Sequence, residues 1–257
     1  LSGTTSHAAY IGSLTLPASS SRSAFVACLQ DNLQTATPRW VQEVPGNLLG
    51  SVSSLALLPG SVYVGGTLVA SSTINGNQTT HIDGYVARLD DAGTTPQWNW
   101  VRRIATFAQE KVHALLSDGS SLYVAATSDA PVIQFGSTQF QNPGAGGLNT
   151  EDAFVSRLTE RGDFVEAYHI GGPQDQTVTS LVVSGNQLYA GGTFINSAEF
   201  GSQTLASAPS YGAAFLATVA VQPLATSAAT TPITMAVPVS PAVVGHVGPQ
   251  GPGAEAP

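Results

Sequence analysis

The feature that most constrains this chain of 257 residues is a set of short motifs that recur in the same order about every sixty residues. The clearest of them, SGTT, GGTL, AATS and GGTF, contain Thr4, Thr67, Thr127 and Thr193, which are separated by 63, 60 and 66 residues. A constant order at a near-constant spacing indicates that one structural unit is repeated along the chain.

Further motifs give the content of each unit. After each threonine comes a loop motif, which reads IGSLTL, INGNQT, FGSTQF or FGSQTL. Next come AFVACL, GYVARL, AFVSRL and AAFLATV, which alternate apolar with small or polar residues as half-buried strands do. An aromatic or apolar strand follows in three units as RWVQEV, WNWVRRI and FVEAYHI, and a hairpin then leads into VYVGG, LYVAA or LYAGG. Each unit therefore predicts four short antiparallel strands.

Four antiparallel strands with glycine-rich turns in about 60 residues are typical of one blade of a β-propeller. No window shows a sustained 3.6-residue period, which excludes an α-solenoid. A β-sandwich is the alternative, but it does not explain why the loop motifs recur in register. We therefore predict an all-β, propeller-like array of four-stranded antiparallel blades over residues 1–220. Residues 221–257, which are rich in Pro, Ala and Thr, are predicted to be an extended tail or linker.

Residues 152–194 resemble the bacterial β-propeller repeat often called the SBBP repeat. Its usual form is DAFVAKLD, a glycine turn, a Trp-rich strand, a GG-containing loop and a strand pair ending in GNVYVTG. The match is good from 84 to 128 and looser from 24 to 68. AFVACL and AAFLATV depart from the repeat in their lack of charge, and the GG loop is lost in the first two copies. The resemblance implies a secreted or cell-surface binding or structural module of bacterial origin, often one with a C-terminal sorting domain, and it implies no common catalytic residues.

The strand count raises the question of how the array closes. The motifs predict fourteen strands, or about three and a half blades, and a propeller stays soluble by leaving no blade edge open. The tail segment PITMAVPV, residues 232–239, is one candidate for the missing strands, and we name Pro232 and Val237 in it as interaction residues. Alternatively, two chains combine into one ring, or the open edge pairs with a neighbouring chain by strand addition.

Charge and composition exclude some partners. Only 9% of residues are charged, and eight Lys and Arg against sixteen Asp and Glu give a net charge of −8, so nucleic acid and anionic lipid surfaces would be repelled. No run of eighteen apolar residues is present, so no transmembrane helix is expected. The chain begins at Leu1, within a repeat, and we expect that a signal peptide or other upstream segment was removed or left out and that the protein is secreted or at the cell surface.

Catalytic chemistry has little support in the sequence. The five histidines lack metal-ligand spacing, no nucleophile elbow or phosphate-binding loop is found, and no catalytic residue or cofactor is predicted. Asp83 and Asp152 each precede an AFVSRL-type strand, where a loop aspartate can bind Ca²⁺. A local turn role is the favoured alternative for both, because Asp is a common turn residue.

The motif WNWVRRI supplies the aromatic interaction candidates, Trp98 and Trp100. Strict alternation places both on one side of a strand, where they would contact a partner or a sugar face, or else pack between blades.

The function predicted from these observations is a non-enzymatic extracellular or cell-surface module for assembly or protein interaction, such as a subunit of a filament, surface layer or complex. Its partner is a second copy or another protein, reached through a blade edge and the tail. Two alternatives stay open. One is a propeller that binds or acts on polysaccharide, with a glycan as ligand, and the other is secreted cargo of an export system that reads a C-terminal signal.

Overall fold

The computed structural model describes residues 1–16, 23–45, 50–74, 77–91, 93, 95–106, 108–142, 150–208 and 211–222, with the side chains of 70–79 excepted. Every regular element in these ranges is a β-strand, and all of the pairings are antiparallel. The all-β prediction is therefore confirmed. Within the same ranges there is no helix that is long and apolar enough to cross a membrane.

Fourteen of the described strands form four sheets, which we number 1 to 4 in chain order. Sheet 1 contains β1 (Ser2–Thr5), β4 (Ser23–Asp31) and β5 (Ala36–Glu43); sheet 2 contains β6 (Gly50–Leu58), β7 (Ser61–Ile74), β8 (Asn77–Asp90) and β9 (Gln97–Ile104); sheet 3 contains β10 (Glu110–Ser117), β11 (Leu122–Ser128), β14 (Asp152–Leu158) and β15 (Phe164–Gly171); sheet 4 contains β16 (Gln176–Ser184), β17 (Gln187–Ile195) and β20 (Gly212–Ala220). In each sheet the strands are neighbours in the order in which they are named. The four strands of sheets 2 and 3 define the first to fourth strand positions. By register, β1, β4 and β5 of sheet 1 correspond to the second, third and fourth positions, and β16, β17 and β20 of sheet 4 correspond to the first, second and third.

Six shorter strands form hairpins in the segments of the chain that connect a second strand to a third. They are β2 (Ala9–Ile11) with β3 (Leu14–Leu16), β12 (Val132–Phe135) with β13 (Thr138–Gln141), and β18 (Ser197–Phe200) with β19 (Gln203–Ala206). The last hairpin also extends sheet 3, because β18 pairs with β15. These hairpins are formed by the recurrent loop motifs, in which the sequence predicted no strands. Their turns contain Gly12, Gly136 and Gly201 at φ values of 59°, 60° and 60°, a left-handed conformation that favours glycine.

The second and third strands pair in the same register in all four sheets. Each threonine of the repeated motif lies opposite a small residue, and that residue precedes a buried or partly buried aromatic ring. The pairs are Thr4 with Ala24, Thr67 with Gly84, Thr127 with Ala153 and Thr193 with Ala214, and the aromatic residues are Phe25, Tyr85, Phe154 and Phe215.

β-Bulges also recur at matching positions. The first strands of sheets 2, 3 and 4 shift register at Ser53, His113 and Thr179. The fourth strands of sheets 1, 2 and 3 contain an extra residue at Arg39, Asn99 and Val165. A bulge adds one residue to one strand only, so side chains beyond it switch to the opposite face of the sheet.

Three apolar clusters hold the sheets together, and each lies between two consecutive sheets. Val26 and Trp40 of sheet 1 pack with Leu89 of sheet 2. Val86 of sheet 2 packs with Leu158 of sheet 3 in the next cluster. The last cluster joins sheets 3 and 4 and includes Val155, Val178 and Phe215. β1 of sheet 1 contacts β6, β6 contacts β10 and β10 contacts β16, so the four sheets form one stack in chain order.

We predict that Leu158→Ala lowers the free energy of unfolding by about 2–5 kcal/mol, because it leaves a cavity between sheets 2 and 3 where Leu158 is fully buried. The matched control is Val165→Ala at the exposed bulge of β15, which should cost less than about 1 kcal/mol. Urea unfolding followed by tryptophan fluorescence measures both. Equal losses for the two variants would contradict the packing of this cluster.

Candidate functional site

Among the described strands, β20 lacks a neighbour that the corresponding strands possess. In sheets 1, 2 and 3 the third strands β4, β8 and β14 are paired on both sides. β20 pairs with β17 on one side, and no described strand pairs with its other side. A strand of the central type therefore forms the outer edge of sheet 4.

The sequence of β20, GAAFLATVA, leaves this edge unprotected. It contains no charged residue and no proline, the usual features that prevent an edge strand from pairing with another chain. The outer strands of sheets 1 and 2 contain such residues, among them Pro38, Arg39, Arg102 and Arg103. Leu216 of β20 is 43% exposed, although Val155 at the same register in β14 is buried. The edge is therefore both apolar and available for hydrogen bonding.

The pairing with β17 fixes which backbone groups are free. The amide of Val221 donates to the carbonyl oxygen of Asn186 at 2.8 Å. Because bonds to one neighbour alternate along an antiparallel strand, Val219 and Ala217 also bond to β17, and the N–H and C=O groups of Leu216 and Thr218 point to the open side. An incoming strand would meet these groups first.

A mainly apolar cavity of about 370 Å³ lies between sheets 3 and 4 beside this edge. Its walls include Val155 and Ile170 from sheet 3, Ala217 and Val219 from β20, and Phe200 from the adjacent hairpin. The polar groups on its wall are the side chains of His169 and Glu199 and the Tyr168 ring. A cavity of this size and character can accept one or two apolar side chains.

Comparison with the other sheets explains why the cavity is there. A Cβ atom on Gly12 would lie 2.6 Å from Pro38 of β5, and one on Gly136 would lie 3.2 Å from Phe164 of β15. A Cβ atom on Gly201, at the same place in the third hairpin, would have no atom within 4 Å. In sheets 1 and 3 a residue of the fourth strand, Pro38 or Phe164, therefore packs against the hairpin glycine. Among the described residues, none makes this contact with Gly201 beside sheet 4.

Arg157 fixes the point at which the chain leaves sheet 4. Its guanidinium is buried, donates to Ser121 Oγ at 3.0 Å and Glu166 Oε1 at 3.1 Å, and lies 5.4 Å from the centre of the Tyr123 ring. It also donates to the backbone carbonyl oxygen of Gln222 at 2.5 Å. This hydrogen bond ties the segment that directly follows β20 to sheet 3. Sequence reasoning missed this residue, because its partner Gln222 lies 65 positions further along the chain.

Asp83 and Asp152, the Ca²⁺ candidates, are fully buried and paired with basic side chains of the fourth strands. Asp83 accepts a hydrogen bond from Arg103, and Asp152 Oδ2 lies 2.6 Å from His169 Nε2. Burial raises the pKa of Asp152, and the hydrogen bond from His169 opposes this shift. These partners lie across the sheet rather than in a local turn.

In the described part of the chain no group of three or more His, Cys, Asp or Glu side chains is arranged to hold a metal ion. The geometry at Asp83 and Asp152 therefore lends Ca²⁺ binding no support, and the ion stays a prediction.

Trp98 and Trp100 lie on opposite faces of β9, so the expectation that they share one side is wrong. The bulge at Asn99 inverts the alternation between them. Trp98 Nε1 donates to the carbonyl oxygen of Glu43 in sheet 1 at 2.9 Å, whereas Trp100 Nε1 donates to that of Glu160 in sheet 3 at 3.0 Å. Both rings are partly buried, and each bridges sheet 2 to a neighbouring sheet.

A polar cluster that the sequence did not single out lies on sheet 3. Lys111 Nζ donates to Glu151 Oε1 at 2.5 Å, Thr127 Oγ1 donates to Glu151 Oε2 at 3.0 Å, and His113 Nε2 lies 3.0 Å from Thr127 Oγ1. Burial lowers the pKa of His113, which favours its neutral form. The bulge at His113 brings its ring to this cluster, and a strict two-residue alternation could not predict that.

The remaining predicted interaction residues, Pro232 and Val237, lie outside the described residues. Comparison with models of known protein families gave no match, and comparison with curated proteins gave none either. The resemblance to the SBBP repeat accordingly stays a prediction.

We predict that Arg157→Met lowers the free energy of unfolding by about 1–3 kcal/mol, because it leaves the partly buried Glu166 carboxylate and the Gln222 carbonyl oxygen without this donor. Arg102→Met is the matched control, since that arginine is 44% exposed and its loss should cost less than about 1 kcal/mol. Chemical denaturation of both variants tests this. A loss at Arg157 no larger than the loss at Arg102 would show that the buried network contributes nothing.

Glu110 is fully buried and accepts hydrogen bonds from Thr106 Oγ1 at 2.5 Å and Ser128 Oγ at 3.0 Å. Burial raises the pKa of its carboxyl group above the ordinary value of 4.5, although these hydrogen bonds oppose the shift. The folded protein therefore holds the proton more tightly than the unfolded chain does. The stability that this proton confers is present below pH 4.5 and decreases as the pH rises through the folded-state pKa.

Accordingly, the free energy of unfolding of the native chain minus that of Glu110→Gln should fall as the pH is raised above 4.5. Urea titrations of both proteins at a series of pH values measure this difference. A difference that rises with pH would show that the pKa of Glu110 is lowered instead.

Proposed function

We propose that this chain is a non-enzymatic extracellular or cell-surface protein that assembles with further copies of itself by accepting a β-strand at the open edge of β20. The observation that carries the proposal is an unprotected apolar edge strand that lies beside an apolar cavity. Strand addition uses backbone groups for affinity and a side-chain pocket for specificity, and both are present at this edge. The extracellular location rests on the resemblance to the SBBP repeat.

The architecture within this proposal is a propeller-like array, in which sheets 1 to 4 are successive blades. It is supported by the common register, by the recurrent bulges and by the packing of consecutive sheets face to face. The contact of β6, β10 and β16 in chain order fits the inner strands around an axis. In this array the described residues give sheet 1 no first strand and sheet 4 no fourth.

The two ends of the stack also favour assembly. Leu29 on sheet 1 is 39% exposed, whereas Leu89 and Leu158 at the same register are fully buried against the preceding sheet. Leu216 is exposed on the opposite end face. The exposed face of sheet 4 in one copy can therefore cover the exposed face of sheet 1 in a second copy. A contact between two different surfaces of this kind is a head-to-tail contact.

The charged side chains support an interaction role over catalysis. Asp83, Asp152, Glu110 and Arg157 are buried, and each is engaged by neighbouring side chains or backbone groups of the stack. Their contacts with neighbouring strands fit structural roles.

The test uses Leu216→Pro in the full chain. Proline removes the outward N–H of Leu216 and places its ring on the open side, while the bonds to β17 stay intact. We expect the native chain to rise above its monomer mass of 26.2 kDa with increasing concentration in light scattering, and the variant to stay monomeric. Leu216→Ala is the control, since it keeps the N–H and should still assemble. A native chain that is monomeric at every concentration would refute the proposal.

A further inference from the structure

We propose that the strand accepted by β20 is the segment 232–239, PITMAVPV, of a second copy of this chain. The inference rests on the proposed function, because it names the partner of the same open edge. It follows from reading the fourth strands of sheets 1, 2 and 3 as templates for the strand that sheet 4 lacks.

The templates define what the incoming strand must contain. In all three the end of the third strand faces a large or cyclic apolar residue: Leu29 faces Pro38, Leu89 faces Trp98 and Leu158 faces Phe164. The residue after it forms the bulge, and regular antiparallel pairing follows. At sheet 4 the position of these leucines is taken by Val219, which lines the cavity.

Placing Ile233 opposite Val219 fits the segment to this template. With a bulge at Thr234, Met235 then faces Thr218 and Val237 faces Leu216. Ile233 enters the cavity where Pro38 and Phe164 contact the hairpin glycines of sheets 1 and 3.

The prolines of the segment test this register independently. Because the N–H and C=O groups of Leu216 and Thr218 point to the open side, the residues that face them, Val237 and Met235, form the hydrogen bonds. Pro238 then lies between bonding positions, and its missing N–H falls on the solvent side, where an edge strand tolerates proline. Pro232 becomes the first residue of the strand, which also accepts proline. A shift by one residue would turn Pro238 toward β20 and lose a bond.

The length of the connector after β20 indicates that the added strand comes from a neighbouring copy. The third and fourth strands of sheets 1, 2 and 3 are joined by four, six and five residues, at 32–35, 91–96 and 159–163. Eleven residues, 221–231, separate β20 from the segment, and Arg157 holds the first part of this connector at Gln222. A connector about twice the length that a hairpin here needs gives the segment the reach to enter a neighbouring copy.

Donation to a second copy makes the contact heterologous, because each chain offers an edge at one place and a strand at another. Such contacts propagate into an open chain of subunits unless a rotation closes a ring. The structure therefore assigns to β20 the role of acceptor and to residues 232–239 the role of donor.

A complementation experiment tests these roles in the full chain. Leu216→Pro blocks the edge and leaves the donor segment intact, whereas Ile233→Asp places a charge at the residue that enters the cavity and leaves the edge intact. We expect each variant alone to be monomeric and an equimolar mixture to form a dimer of twice the monomer mass, with no larger species. Ile233→Val is the control and should assemble as the native chain does. Near-ultraviolet circular dichroism reports whether each variant is folded.

The other outcomes separate this inference from the proposed function. If Ile233→Asp assembles alone while Leu216→Pro does not, another strand fills the edge, so this inference fails and the proposed function stands. If the native chain assembles but the mixture of variants stays monomeric, donation between copies is overturned. If the native chain never assembles, both proposals fail.

A synthetic peptide of residues 230–241 provides a second test that does not depend on the folding of a variant. Added to the native chain, it should lower the average mass toward that of the monomer by competing for the edge. The same peptide with Ile233→Asp should have no effect. Equal effects of the two peptides, or none from either, would overturn the assignment of the donor.

Discussion

The structure depends on the burial of its central strands on both faces, which is complete for β11 and β14 of sheet 3. All seven residues of β11 and all seven of β14 are buried. A strand of this kind cannot lie at the surface of a sheet stack, because either face exposed to water would cost the burial of several side chains. Sheet 3 must therefore be covered on both faces, and sheets 2 and 4 cover it.

The same constraint explains why the ends of the stack differ from its middle. β20 has the register of β14 and a sequence without charged residues, yet in the described part of the chain it has one neighbouring strand and one neighbouring sheet. Its burial drops accordingly, and Leu216 is exposed where Val155 is buried. β20 thus has a sequence typical of a central strand but lies at an exposed sheet edge, where it can pair with a further strand.

Sequence reasoning reached the strands because their signal is local. The alternation in AFVSRL and the recurrent threonine motifs depend on neighbouring residues alone, and the fourteen strands that they predict are all present in sheets 1 to 4. The sequence did not reveal the bulges. Whether Trp98 and Trp100 share a face is decided by one extra residue, Asn99, relative to β8, and a single strand does not record its partner's length.

The candidate site was only partly accessible for the same reason. The missing fourth strand follows from counting motifs, but the cavity beside it follows from distances at Gly12, Gly136 and Gly201 in three different hairpins. The buried state of Arg157 depends on groups up to 65 positions away, among them the Gln222 carbonyl. Interactions between distant segments, and not local propensity, decide both features.

The most direct test of the account is amide hydrogen exchange at Leu216 and Thr218, whose N–H groups are assigned to the open side of β20. The account predicts that both amides exchange rapidly in dilute protein and become strongly protected at concentrations where the chain assembles, while Val219, already bonded to β17, changes little. If Leu216 and Thr218 exchange as rapidly in assembled protein at high concentration as they do in dilute protein, the edge of β20 is not where copies join.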